Sequence, residues 1–360
     1  MEKERQLVHY NLLKILAIFM VVAVHMMQEV ELVPLGNEGA FRLHEVVRTV
    51  LLTSNGLFFM VSGRFLLERY DGKMGRFYWK RLVKIGIPVF GASLFYYTYV
   101  YGRNGMNPQF WKGFARDFLQ SRIQGYFWFV YALAGFYLAV PFLARMFSSM
   151  GKGEKKALIG ISLAYFFVQN LYQIFGLEMV LTAYPFYSWI FYCVWGYLLD
   201  SLELSPGKKK LAILAGAGAF LVSSWETCFW GRENPALHNY SVTMILMTGG
   251  IYLAVTSFGK AAAERFSKGI QFVAKRSFYL YLMHGITQFM LSARLKGRAG
   301  IPLQGANMPL GEMGIWVRWV WWLGLSAVSF VLALSVGCVL EAAYRPVAGR
   351  LLGAGRRKRG

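Results

Sequence analysis

Residues 10–27 read YNLLKILAIFMVVAVHMM. At 1.5 Å rise per residue such a run makes about 27 Å of helix, close to the roughly 30 Å of a bilayer's hydrocarbon core. Its only basic side chains are Lys14 and His25. The stretch is expected to cross a membrane. Its charged start at Glu2–Arg5 looks like a signal peptide, but Lys14 and His25 interrupt it and no small-residue cleavage site precedes Glu29 and Glu31. It is expected to be retained as a helix.

Comparable runs recur as far as Tyr344, and ten spans are expected, near 10–27, 46–67, 82–101, 126–147, 157–175, 183–200, 211–230, 238–258, 277–292 and 315–341. The fold class is therefore all-α, a polytopic transmembrane helical bundle in one membrane domain over 1–345, followed by a basic tail over 346–360. An even number of spans puts both termini on one side. With that side cytoplasmic, inner segments carry 26 Lys and Arg and outer segments 11, the bias expected of cytoplasmic termini. Trp316, Trp319, Trp321 and Trp322 flank Arg318 where the last span enters from outside, which suits an interfacial aromatic belt.

Composition agrees. Of 360 residues 56% are hydrophobic and 16% charged, with a mean hydropathy of +0.39; soluble domains carry about 25% charged residues, so a soluble enzyme is excluded. The net charge of +21 punctuates the apolar runs instead of gathering on a face, so no nucleic-acid partner is expected. Cys193, Cys228 and Cys338 form no C-x-x-C pair, and no two histidines stand four apart, so neither a disulfide framework nor a metal site is expected. Phosphate-loop and G-x-S-x-G motifs are absent.

What remains is a set of polar groups at membrane depth, where a charge costs about 2.5–3.5 kcal/mol and is retained for a reason. Lys14 and His25 are 11 residues apart, about 20° beyond three full turns and about 16 Å along the axis, so they share one helix face at different depths. Arg81 and Lys84, three apart on the third span at the depth of Lys14, point the same way. Three cations there form a site for phosphates, with Arg the bidentate partner.

These residues carry a resemblance. The cation, ten residues and histidine of the first span, Phe58-Phe59-Met60-Val61-Ser62-Gly63, Arg81-Leu82-Val83-Lys84, Trp128-Phe129 and Tyr281-Leu282-Met283-His284 occur in the order seen in the integral-membrane acyltransferase 3 family, which the chain resembles over most of its length. Lysine stands at 14 and 84 where that family usually has arginine, and Tyr126 near a position where many members have histidine.

The resemblance implies a multi-pass cell-membrane O-acyltransferase, with no bound cofactor, surrounded by membrane lipid. It would move an acyl group, most commonly acetyl, from cytoplasmic acyl-CoA such as acetyl-CoA to a hydroxyl of an extracytoplasmic carbohydrate or cell-envelope acceptor. It makes His25 the catalytic histidine and Lys14, Arg81 and Lys84 the donor-binding cations. Accessory candidates are His284 in the late motif, Glu226 in the seventh span, as an orienting or acceptor-binding carboxylate or as a partner of Arg232, and Arg64, in the donor site or snorkelling to the interface. A transport or binding protein for a small solute such as an amino acid is the alternative, because intramembrane charges serve transporters equally well.

Overall fold

The computed structural model describes residues 7–353 except 31, 34–36, 103–104, 179, 181, 231–238 and 296–313. The described chain is all-helical: α1 (Val8–Glu29), α2 (Glu38–Glu68), α3 (Met74–Arg81), α4 (Ile87–Tyr101), α5 (Pro108–Leu119), α6 (Trp128–Ser149), α7 (Lys152–Ile174), α8 (Trp189–Ser201), α9 (Pro206–Trp230), α10 (Val242–Phe258), α11 (Lys260–Arg265), α12 (Ser267–Leu295) and α13 (Ile315–Leu351). Among the described residues, six segments are long and apolar enough to cross a membrane: α1, α2, Gly125–Ser149 (a short 3₁₀ turn leading into α6), α7, α9 and α13. The protein is a multi-pass membrane protein.

The other expected spans coincide with helices that depart from a simple rod. The sixth begins at Trp189, because Pro185 and Ser188, whose φ is 73°, interrupt the chain before it. The eighth is the 17-residue α10. The ninth starts earlier, at Ser267, and includes Lys268, Lys275 and Arg276. The last continues to Leu351, six residues into the expected tail; the basic cluster Arg356–Arg359 lies outside the described residues.

The third span carries a π turn, Leu82–Gly86, between α3 and α4. Its cause is legible in the chain. Pro88 has no N–H to return to the preceding turn, and the Ile87 N–H reaches back five residues to the Leu82 carbonyl. The Val83 carbonyl, which Ile87 would serve in a regular helix, instead accepts a hydrogen bond from the Tyr344 hydroxyl at 2.7 Å. A tertiary contact thus satisfies the backbone group that the π turn releases.

The chain divides into two units, Met1–Phe65 with Met150–Ser335, and Leu66–Ser149 with Val336–Gly360. In the first, α1 is buried around most of its circumference, with Leu13, Ile18, Val22 and Ala23 wholly enclosed, as befits a helix apolar on all sides. Helices α2 and α8 approach until their backbones touch. A Cβ at Gly63 would land on the Cys193 carbonyl, and one at Gly196 on that of Met60. The glycine of the F-F-x-x-S-G stretch is therefore required by packing, in the small-residue manner of membrane helices.

At the same α2–α8 interface sits a polar knot. Asp200 Oδ2 accepts hydrogen bonds from Arg64 Nε at 2.5 Å, the Tyr10 hydroxyl at 2.5 Å and the Tyr252 hydroxyl at 2.9 Å. The Arg64 and Asp200 side chains are only 17% and 15% exposed. One carboxylate thereby ties α1, α2, α8 and α10 together, and the pair carries no net charge.

The second unit holds α3, the π turn, α4, α5 and α6 with the C-terminal part of α13. Tyr97, Phe110 and Phe114 form its aromatic cluster, and Asn107 caps α5 by accepting from the Phe110 N–H at 2.9 Å.

Removing one member of a buried ion pair strands the other. Asp200→Ala should destabilise the solubilised protein by about 3–5 kcal/mol, and Tyr252→Phe by about 1.5–3 kcal/mol for one lost hydrogen bond to a charged group. Denaturant unfolding in detergent checks both, and wild-type midpoints would refute the knot's role. Gly63→Ala should destabilise by about 1–3 kcal/mol through overpacking, in contrast to Gly160→Ala, where a Cβ meets nothing within 4 Å.

Candidate active site

His25 lies in the last third of α1, and the chain around it is held from two sides. Gln288 on α12 donates its Nε2 hydrogen bond to the Val22 carbonyl at 2.7 Å, and Trp322 on α13 donates Nε1–H to the Ala23 carbonyl at 2.9 Å. Both are second bonds to helical carbonyls, so they add restraint without unwinding α1. All four residues are buried, where no water competes for the bonds.

The His25 ring packs against that of His284, with centroids 5.4 Å apart at 40°. His284 is fully buried, whereas His25 is half-buried. His284 Nδ1 bonds the Tyr281 carbonyl at 2.6 Å. A carbonyl only accepts, so Nδ1 carries the proton and the neutral ring keeps its lone pair on Nε2. The late Tyr281-to-His284 segment thus supplies both the histidine and the carbonyl that sets its tautomer. Of the two rings, His25 has the access that a substrate needs. Gln28, one turn on, hydrogen-bonds it through its side chain.

Lys14, three turns from His25, has its Nζ 5.4 Å from the centre of the Phe65 ring on α2, beside the Tyr10–Phe65 edge contact at 5.1 Å. Its neighbourhood is therefore that of the Asp200 knot. Arg64 is engaged with Asp200. Asp200 was not singled out in the sequence. The signal available was an acid ending one apolar span and a cation, Arg64, inside another.

Arg81 and Lys84 belong to the second unit. The Arg81 guanidinium lies 5.1 Å from the Phe77 ring centre and 5.5 Å from that of Tyr137, in cation–π range; its Nε is buried without a hydrogen-bond partner among the described residues. It lines a largely apolar cavity of about 370 Å³ with Tyr78, Val89, Phe118 and Tyr131. Lys84 is exposed and lies within the π turn. The i,i+3 register expected for the two assumed regular α winding, which this turn interrupts.

Glu226 is on α9, and its Oε2 is buried without a hydrogen-bond partner among the described residues; Arg232, its alternative partner, lies outside them. Tyr126 donates to the Tyr96 hydroxyl at 2.6 Å. Arg318, which the tryptophans of the expected interfacial belt flank, is wholly buried, while Trp316 is 72% exposed and Trp322 8%. The cause is helical phase: residues 318 and 322 share a face of α13 and 316 lies opposite. A completely buried arginine in a membrane protein is retained for function or assembly, and composition alone did not separate it from surface charge.

Comparisons with curated proteins and with solved structures each found no match. The profile of the acyltransferase domain of the acyltransferase 3 family, by contrast, matches residues 8–338, a stretch that begins with α1 and includes His25, the π turn, the knot and His284. On that match, which spans nearly the whole chain, this multi-pass membrane protein is an acyltransferase and belongs to the acyltransferase 3 family.

Proposed function

We propose that this acyltransferase moves an acetyl group from cytoplasmic acetyl-CoA to a hydroxyl of an extracytoplasmic carbohydrate or cell-envelope acceptor, with His25 as general base. The observation that carries the proposal is the His25–His284 pair on a doubly pinned helix. One histidine is accessible and the other is sealed beneath it.

The neutral His25 imidazole takes the proton of the acceptor hydroxyl as its oxygen attacks the thioester carbonyl. A C–O bond forms and the C–S bond breaks. The imidazolium then returns the proton to the departing thiolate, giving free coenzyme A and an O-acetyl ester. His284 is a positioning residue in this scheme. It has no exposure to substrate, and its ring limits the orientations open to His25.

Lys14, Arg81 and Lys84 bind the donor's phosphates in this reading. Lysine at 14 and 84 supplies point charges, and Arg81 is the one planar fork of the three. The ten-span arrangement with both termini cytoplasmic belongs to the same proposal, and the bias of Lys and Arg toward one set of connections supports it.

His25→Ala should bind coenzyme A as the wild type does and lose acyl transfer by about 10²–10⁴-fold, the usual contribution of a general base. Coenzyme A affinity and labelled acetyl transfer on the same purified samples check this, and full transfer by the variant removes His25 from the mechanism. Arg81→Ala should weaken coenzyme A binding, while Lys84→Arg should retain or improve it through the bidentate fork; an unchanged dissociation constant in Arg81→Ala refutes the donor site. Reporter domains inserted at Lys208–Lys210 or fused after Arg359 should be active only in the cytoplasm.

A further inference from the structure

A second cavity, of about 280 Å³, opens where the C-terminal end of α1 meets the start of α2. Its polar lining is Gln28, His44, Glu45 and Arg48, and Phe41 contributes an aromatic face. Glu45 is the centre of the group. It is 5% exposed, with Oε1 bonded to His44 Nδ1 at 2.9 Å and Oε2 accepting from Arg48 Nη1 at 3.0 Å.

An i,i+3 pair such as Glu45–Arg48 is ordinary on an exposed helix, where it stabilises by a few tenths of a kcal/mol. Here the carboxylate has been taken out of water at the wall of an open cavity. Desolvating a charge offsets most of what its partner returns, so stability gives little reason for the placement. The other two cavities described are lined mainly by apolar side chains, which sets this one apart.

The cavity also connects to His25. Gln28 lines it and hydrogen-bonds the His25 side chain, so a hydroxyl held against Gln28 stands one helical turn from the proposed base. From these observations, and resting on the acyl-transfer reading above, we infer that this cavity is the acceptor subsite and that it takes an uncharged, polyhydroxylated ligand, a neutral sugar unit.

The ligand class follows from the lining. Glu45 and Arg48 cancel one another's charge, so the pocket offers no net field to an anion or a cation. Because the carboxylate only accepts, His44 donates to it from Nδ1; Gln28 both donates and accepts, and Arg48 donates. Vicinal hydroxyls, which each donate and accept, match such a mixed set. The Phe41 face suits the C–H side of a pyranose ring. The volume is at the small end of the range for ligand pockets, room for one ring and not for a lipid chain.

The test uses the purified full-length protein, labelled acetyl-CoA, and cell-envelope glycans separated into neutral and anionic fractions, with extracted lipid as a third acceptor. Label should enter the neutral glycans. Arg48→Gln, which removes a charged hydrogen bond, and Val33→Trp, which fills the cavity from its wall, should each reduce that transfer by about tenfold or more while binding coenzyme A with the wild-type dissociation constant. Label in the anionic or lipid fraction, wild-type transfer by both variants, or loss of coenzyme A binding in both overturns the subsite. A wild-type protein that binds coenzyme A and acetylates no fraction refutes the acyl-transfer reading itself, and the subsite falls with it.

Discussion

A carboxylate placed among apolar helices has to be answered from within the protein, and Asp200 is answered by three donors from three other helices. That requirement fixes more than a local contact. Arg64 cannot reach Asp200 unless α2 lies against α8, and α2 lies there because Gly63 and Gly196 let the two backbones touch. Tyr10 then sets the lower end of α1, the helix that carries both Lys14 and His25. The polar knot and the glycine contact are mutually dependent: one supplies direction, the other proximity.

The opposite end of α1 is fixed by a different device. Gln288 and Trp322 donate to carbonyls that already serve the helix, and His284 lies against the His25 ring. A general base is effective only when its lone pair is aimed within a few tenths of an ångström of the reacting proton. In the proposed mechanism that aim would come from a helix pinned at the Val22 and Ala23 carbonyls just before His25 and from a neighbouring ring whose own tautomer is set by the Tyr281 carbonyl.

The π turn beside Arg81 shows the same economy in the second unit. Pro88 removes an N–H, the register slips to five residues, and the hydroxyl of Tyr344 takes the carbonyl left over. The departure from α geometry is satisfied by tertiary contact; it starts just after Arg81 and contains Lys84, two cations proposed for the donor site. Such turns recur at functional positions because they re-aim side chains without breaking the helix.

The sequence by itself determined that the chain is a helical membrane protein, because bilayer thickness sets span length and hydrocarbon allows no unpaired backbone. It also singled out His25, Lys14, Arg81 and His284, since charge and imidazole at membrane depth stand out against apolar runs. It did not show that His25 and His284, 259 positions apart, lie ring to ring, nor that Arg64 is claimed by Asp200, nor that His44, Glu45 and Arg48 wall a cavity that reaches His25 through Gln28. Helical periodicity relates a residue only to its neighbours three and four positions away. Which helices then meet is decided by packing, where glycine contacts, a buried carboxylate and paired carbonyls admit one arrangement, and that arrangement exists only in the folded chain.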